Sequence, residues 1–386
     1  MSVPSLRDQL RYFKKQQSDI VDTIRQLVEI ESPTDLKQAV DRLGTVLASR
    51  FAELGGRVHV HIAEKYGNHL QVDFKSSPAA KQKPVLLLGH MDTVYPIGTI
   101  SKMPCKTSKG RLRGPGVLDM KSGIAIILHV IEAILKWNDG KLPLPISILL
   151  VSDEEVGSHS SRRITEGLAG KSEATLVLEP AGGLNGAVKT ARKGVCEYKL
   201  EVSGVAAHAG LDFDRGQSAI VELAKQVCEI SKLSDPKRRL TVNVGKVSGG
   251  TRSNVVAAEA NAVIDVRVAT MADGRDIDKN LRSLKPFNPN CRVKISGGMN
   301  RPPMERSTGV AELFDKAEAV AQELGWSLQD AAVGGGSDGN FTAALGIPTL
   351  DGLGGVGEGA HAEHESIIIS ELPRRAALLA GLLSRI

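Results

Sequence analysis

Three apolar runs in this chain each stop at an imidazole or a carboxylate. PVLLLG leads into His90 and Asp92, PISILLVSD into Glu154 and Glu155, and TLVL into Glu179. A fourth group, Asp119, closes GPGVLD just ahead of the apolar KSGIAIILHVIEAIL. Short continuous apolar runs of this kind predict strands buried on both faces. Open α/β sheets bind ligands outside the carboxyl ends of their strands. Four separate segments are therefore expected to deliver His and carboxylate groups to one rim.

The rest of the pattern supplies the frame. Residues 5–30 and 35–54 read as amphipathic helices, and 57–62, 69–75 and 84–89 as strands. The helix over 121–137 precedes strands at 145–152 and 174–178, an alternation that predicts a mostly parallel, mixed sheet flanked by helices. Near Ala191 the pattern changes. EYKLEVSG, AIVELAKQVCEISKL, RLTVNVGKV, AEANAVIDVRVAT, DIDKNLRSL and RVKISG read as strand, helix, strand, strand, helix, strand. Two successive β-α-β units predict an α+β two-layer sandwich of the ferredoxin-like kind. After RPP at 301–303 the helix–strand alternation resumes and includes GGGSDG and His361. The expected organisation is an α/β domain, 1–191 and 307–386, into which a smaller domain, 192–306, is inserted.

Composition narrows the function. Lys plus Arg number 49 against 44 Asp plus Glu. There is no dense basic tract and no aromatic–basic interleaving, so nucleic-acid binding is disfavoured. A mildly positive balance suits an anionic small substrate. The four cysteines, Cys105, Cys196, Cys228 and Cys291, are far apart and form no C-x-x-C pair, which suits reduced thiols and a cytoplasmic location. The first twenty residues contain no apolar core of a signal peptide, and the stretch 123–135 is too short to span a bilayer. No membrane association is expected.

The candidate residues each carry a functional and a structural reading. His90 and Asp92, two apart at a strand end, can lie on one side, His90 binding metal through one ring nitrogen while Asp92 accepts the other N–H. Asp119 is either an ordinary helix N-cap or a carboxylate that bridges two metals. Glu154 and Glu155 are either a solvated acidic loop or a ligand beside a base, since neighbours in an extended chain point to opposite sides. His361 lies in the Gly-rich GGVGEGAHAEHES, which must reach back to the rim. His59, His61, His129, His159 and His364 read as surface or structural residues. GGGSDG lacks the Lys-Ser/Thr of a phosphate loop. Its glycines, Gly335 among them, suit close approach of backbone to a substrate.

In order along nearly the whole chain, GHMDTV, GPGVLDMKSG, SDEEVGS, VLEP, GVAAHAG, SNVV with DVR, RPP, GGGSD and GAHAEHE resemble the di-zinc aminoacylase and carboxypeptidase metallopeptidases. HMDTV, GPG and GGGSD look most like the glutamate carboxypeptidase branch. The resemblance implies two Zn²⁺ per subunit, with Co²⁺ or Mn²⁺ as substitutes. Asp119 would bridge them, His90 and Glu179 completing one site and Glu155 and His361 the other. It further implies Glu154 as general base, Asp92 as orienter, and His208, Asn254, Arg267 and Arg301 at substrate and oxyanion positions. The inserted domain would serve homodimerisation or act as a lid, and the Asp119–Met120 peptide would be cis. The implied activity releases a C-terminal amino acid from a small peptide or N-acyl amino acid with a free carboxylate. The alternative is an N-acyl-amino-acid deacylase resembling acetylornithine deacetylase or succinyl-diaminopimelate desuccinylase.

Overall fold

The computed structural model describes residues 4–76 and 82–386; 1–3 and 77–81, within the first expected domain, lie outside the described residues. The chain divides into two compact units. The first comprises Met1–Ala191, Arg306–Val333 and Ser337–Ile386, and the second Arg192–Glu305 with Gly334–Gly336. The tripeptide Gly334–Gly336 thus groups with the second unit, although it lies far beyond RPP in the sequence. Its carbonyls explain this, because Gly335 and Gly336 both accept from the buried Arg192 guanidinium (3.0 and 3.2 Å).

The first unit is built on a six-stranded sheet ordered Arg57–His61, His69–Phe74, Ile146–Val151, Val85–His90, Ala174–Val177 and Thr349–Leu350. The last four run parallel, while His69–Phe74 is antiparallel to both neighbours. Strand alternation assigns Val85 and Leu87 to the larger core and Leu86 and Leu88 to a second core on the opposite face. Both faces are covered, which is why these strands read as unbroken apolar runs. The helix Ser122–Trp137 buries residues around most of its circumference, as expected for a central helix. At the N-terminus, two helices, Leu6–Lys15 and Gln17–Glu29, replace the single expected one. The first closes on the Gln16 N–H, which donates to the Tyr12 carbonyl (3.1 Å). A smaller antiparallel sheet ties Gly357–Glu358, Ser366–Ile368, Arg111–Arg113 and Lys106–Ser108 together.

The second unit is an antiparallel sheet ordered Thr241–Gly249, Glu259–Val268, Gly194–Ser203 and Arg292–Arg301, with helices Ala219–Ser231 and Met271–Arg282. Along Gly194–Ser203, Cys196, Tyr198, Leu200 and Val202 face the helices while Glu197, Lys199 and Ser203 are exposed. This is the expected strand, helix, strand, strand, helix, strand sandwich. Among the described residues no helix is long and apolar enough to cross a membrane.

Candidate metal centre

Strand register sets the level at which the rim side chains leave the sheet. His90 pairs with Val151, and Leu88 with Val177, so the segments carrying Glu154, Glu155 and Glu179 emerge beside His90. Gly89 permits the close packing beneath: a Cβ there would lie 2.5 Å from Met120 Cε. Met120 is fully buried, and its sulfur accepts the His90 backbone N–H (3.2 Å). The Asp119–Met120 peptide bond is cis.

Asp119 lies between two imidazoles. Its Oδ1 is 3.0 Å from His90 Nε2, and its Oδ2 is 3.4 Å from His361 Nε2. The same nitrogen of each ring meets a second carboxylate. Glu179 Oε1 is 3.4 Å from His90 Nε2, and Glu155 Oε2 is 3.1 Å from His361 Nε2. Donor atoms of His90, Asp119 and Glu155 lie within 4.8 Å of one another, as do those of His90, Glu154 and Glu179. The N-cap reading of Asp119 does not hold, because the helix that follows is capped at Lys121 without a side-chain bond.

Asp92 orients the centre differently from the expectation. His90 Nδ1 lies 2.9 Å from the Asp92 backbone carbonyl, and 3.5 Å from its carboxylate. Donation to that carbonyl leaves the Nε2 lone pair facing Asp119 and Glu179, the tautomer a metal ligand needs. The fully buried Asp92 carboxylate accepts instead from the backbone N–H groups of Glu154 (3.3 Å) and Glu155 (3.2 Å) and from Thr34 Oγ1 (2.8 Å). Glu154 and Glu155 therefore sit on a 3₁₀ turn, Glu154–Val156, rather than on extended chain.

The electrostatics of the pocket call for positive charge. Donation of its N–H to the Asp119 and Glu155 carboxylates pushes the His361 pKa up to about 10. Burial works against protonation of His90, but Asp119, Asp92 and Glu179 outweigh it and raise its pKa well above the ordinary value. Burial raises the Glu155 carboxyl. At Asp119 burial is opposed and overcome by His361 and His90, which hold it below the usual carboxylate range. The buried Lys121 does not supply the missing charge: its ammonium donates to the Ile30 carbonyl (2.8 Å), and burial pushes its pKa down to about 7. Glu155 Oε1 is buried with no hydrogen-bond partner. Convergent carboxylates, imidazole nitrogens and an orphaned buried oxygen are the donor set of a divalent-metal site.

The remaining expected residues belong to the second unit. His208 is exposed, pairs across a two-residue ladder with Val255, and accepts the Gly210 N–H on Nδ1 (3.1 Å). Asn254 is its neighbour there, its carbonyl accepting the Ala209 N–H (2.9 Å). Arg267 and Arg301 flank Val195 from the two adjacent strands, which places their backbones about 9–10 Å apart. The Arg267 guanidinium forks onto Asp265 (2.9 and 2.8 Å), whereas Arg301 is buried and donates to Asn300 Oδ1 (3.2 Å). Gly335 is exposed, with its carbonyl held by Arg192.

Comparison with known proteins decides what kind of centre this is. The model of peptidase family M20/M25/M40 matches residues 86–385. The chain belongs to this family. It is 29% identical over 374 residues to carboxypeptidase G2 of a Pseudomonas species, covering 95% of this chain and 89% of that one. It is 26% identical over 392 residues to succinyl-diaminopimelate desuccinylase of Thioalkalivibrio sulfidiphilus, covering 96% and 99%. Among solved structures, a tripeptidase of Staphylococcus aureus shares the fold with a TM-score of 0.81 at 22% identity, over 96% of this chain and 98% of that one. As a member of the M20/M25/M40 peptidases, the protein is a metal-dependent hydrolase of peptide or amide bonds. Both the carboxypeptidase and the desuccinylase branches are represented among its relatives.

Several residues around this family centre escape a reading of the sequence. Thr34 holds Asp92 from a distant loop. Asp153, fully buried, accepts from Ser160 N (2.6 Å), Ser160 Oγ (2.7 Å) and Ser161 Oγ (2.6 Å), anchoring the turn that carries Glu154 and Glu155. Glu365 holds the Asp119 turn by its backbone. For Asp153 and Glu365 the available signal was position, one beside the acidic pair and the other four residues after His361.

Proposed function

We propose that the protein is a di-zinc carboxypeptidase of the glutamate carboxypeptidase type. It would release a C-terminal amino acid from a small peptide or N-acyl amino acid with a free carboxylate. One observation carries the reading: the two Asp119 oxygens face two different histidines, each backed by its own glutamate. His90, Asp119 and Glu179 would hold one Zn²⁺, and Asp119, Glu155 and His361 the other, with Co²⁺ or Mn²⁺ as substitutes. When bound, the ions polarise the scissile carbonyl and acidify the attacking water.

The chain supplies the rest of the chemistry. Glu154 takes a proton from water as the water oxygen bonds to the carbonyl carbon, then delivers it to the nitrogen as the C–N bond breaks. An acid and a free amino group leave, and Glu154 is again a carboxylate. Asp92 fixes the backbone of this turn, so it holds the base without touching the substrate. Arg267 or Arg301 clamps the substrate carboxylate, a planar anion matched by a guanidinium fork. Asn254 adds neutral hydrogen bonds, and the exposed Gly335 leaves backbone open to the substrate. His208 donates to the oxyanion. We assign it to act in trans, from His208 of the partner subunit in a homodimer formed through the second unit. Four free cysteines suit a cytoplasmic location.

The desuccinylase relative, aligned over nearly its whole length, supports a second reading as an N-acyl-amino-acid deacylase. Hydrolysis across one library of N-acylglutamates, dipeptides, N-acetyl amino acids and N-succinyl-diaminopimelate separates the two. The highest kcat/KM is expected on dipeptides and N-acylglutamates. A clear preference for N-acetyl or N-succinyl amines would replace the first reading with the second.

A further inference from the structure

Glu365 is fully buried, and its hydrogen bonds come from backbone N–H groups. Its carboxylate is spent on the backbone of one turn. Oε2 accepts from Gly116 N (3.0 Å), and Oε1 accepts from Leu118 N (2.7 Å) and Asp119 N (2.9 Å). Tyr95 stands beside this carboxylate, its hydroxyl donating to the Ala362 carbonyl (3.0 Å) of the same short segment. The turn it holds is the one that aims Asp119 at both histidines. Gly116 takes a left-handed φ of 71° there, and a Cβ would lie 2.7 Å from Thr93 Cγ2.

The same short segment carries His361. The bonds from Ala362 N to the Gly359 carbonyl (2.9 Å) and from Glu365 N to the Ala362 carbonyl (3.0 Å) wind 359–365 into a tight coil. Ser366 then enters the ladder with Arg113, at the root of the Asp119 turn. One segment thus presents an imidazole to the pocket at one end and grips the opposing carboxylate's backbone at the other. Three converging N–H donors require an acceptor with no hydrogens of its own, which a carboxylate satisfies and a carboxamide does not.

We infer that Glu365, with Tyr95 behind it, is a positioning residue that sets the aim of the Asp119 carboxylate relative to His361, so that metal affinity at the centre depends on a group that touches no metal. This rests on the metal-centre reading above. Partners one layer outside the ligands commonly govern affinity by about 10–100-fold.

The test is Co²⁺ binding to the metal-stripped full chain, followed by visible absorption and by calorimetry, for wild type, Glu365→Gln and Tyr95→Phe. Glu365→Gln should bind Co²⁺ about 10–100-fold more weakly. Its saturated spectrum should also differ from wild type, because the Asp119 oxygens are re-aimed. Tyr95→Phe should weaken binding roughly 3–10-fold, the scale of one lost hydrogen bond. Wild-type affinity in Glu365→Gln overturns the inference. So does weakened binding with an unaltered saturated spectrum, which would report a general loss of stability. If Glu365→Gln does not fold, Tyr95→Phe decides by the same two readouts. A wild-type chain that binds no Co²⁺ overturns the metal-centre reading itself, and this inference with it.

Discussion

The two units carry their candidate chemistry in opposite ways. In the first, His90, Asp119, Glu155, Glu179 and His361 each lie within hydrogen-bonding reach of another of the set, and buried carboxylates hold the turns that carry the acids. Asp92 holds the Glu154–Glu155 turn, Asp153 anchors the loop behind it, and Glu365 grips the Asp119 turn. In the second, His208 and Asn254 are exposed, and Arg267 already has its fork on Asp265. A centre that must bind a small cation has to be pre-organised, because its donors repel one another until the charge arrives. Groups that meet a substrate can wait in solvent or on a temporary partner. The contrast predicts that changes in the first unit abolish chemistry, while changes in the second leave metal binding intact.

The largest effect is expected at the shared ligand. Asp119→Asn should lower kcat/KM by at least about 10⁴-fold, more than loss of a base alone costs, with metal content reduced at the same time. Wild-type metal content and activity in that variant would break the account of the first unit. Glu154→Gln should lower kcat by roughly 10²–10⁴-fold with metal content preserved. Loss of metal in that variant would mean that Glu154 is a ligand and that the two neighbours have exchanged roles.

The second unit is tested by His208→Ala, with kcat expected to fall roughly 10²–10³-fold, as for loss of one oxyanion donor, and metal content unchanged. Mixing inactive His208→Ala and Glu154→Gln chains should restore part of the activity, because one site of a mixed dimer has both groups. Absence of recovery despite demonstrated subunit exchange would rule out action in trans.

The smallest effect concerns His69, buried in the first unit between Ser152 and Ser160. Burial lowers its pKa below the ordinary 6.5, so the unfolded chain takes up the proton before the folded chain does. Stability is therefore present above about pH 6.5 and falls as pH drops toward the folded pKa, by at most about 1.4 kcal/mol per pH unit. His69→Gln should flatten that part of the denaturation profile; an unchanged slope would contradict the assignment.

How much of this was legible follows from how each residue does its work. His90, Glu179 and the acidic pair stood out because buried parallel strands leave unbroken apolar runs, and a polar group at the end of such a run falls on the rim. The second unit was legible from its alternating strands and the order of its elements. Glu365 was not, since it acts on backbone N–H groups 246 to 249 positions away, and such partners leave no side-chain pattern. The Asp92 carboxylate was misdirected for a related reason. H-x-D spacing brings the two side chains together, but the backbone carbonyl of Asp92 reaches the ring first, and the carboxylate is left free to hold the next strand's turn. The break at Gln16 interrupts an apolar pattern that continues on both sides of it, so periodicity alone cannot reveal it.

The central claim is that Asp119 joins two metal positions, and a count tests it most directly. The purified chain, stripped with a chelator and reloaded with Zn²⁺, is assayed for hydrolysis of an N-acylglutamate while bound metal is measured by elemental analysis. The account predicts no activity without metal and full activity at two equivalents per chain. Full activity at zero or one equivalent would contradict it.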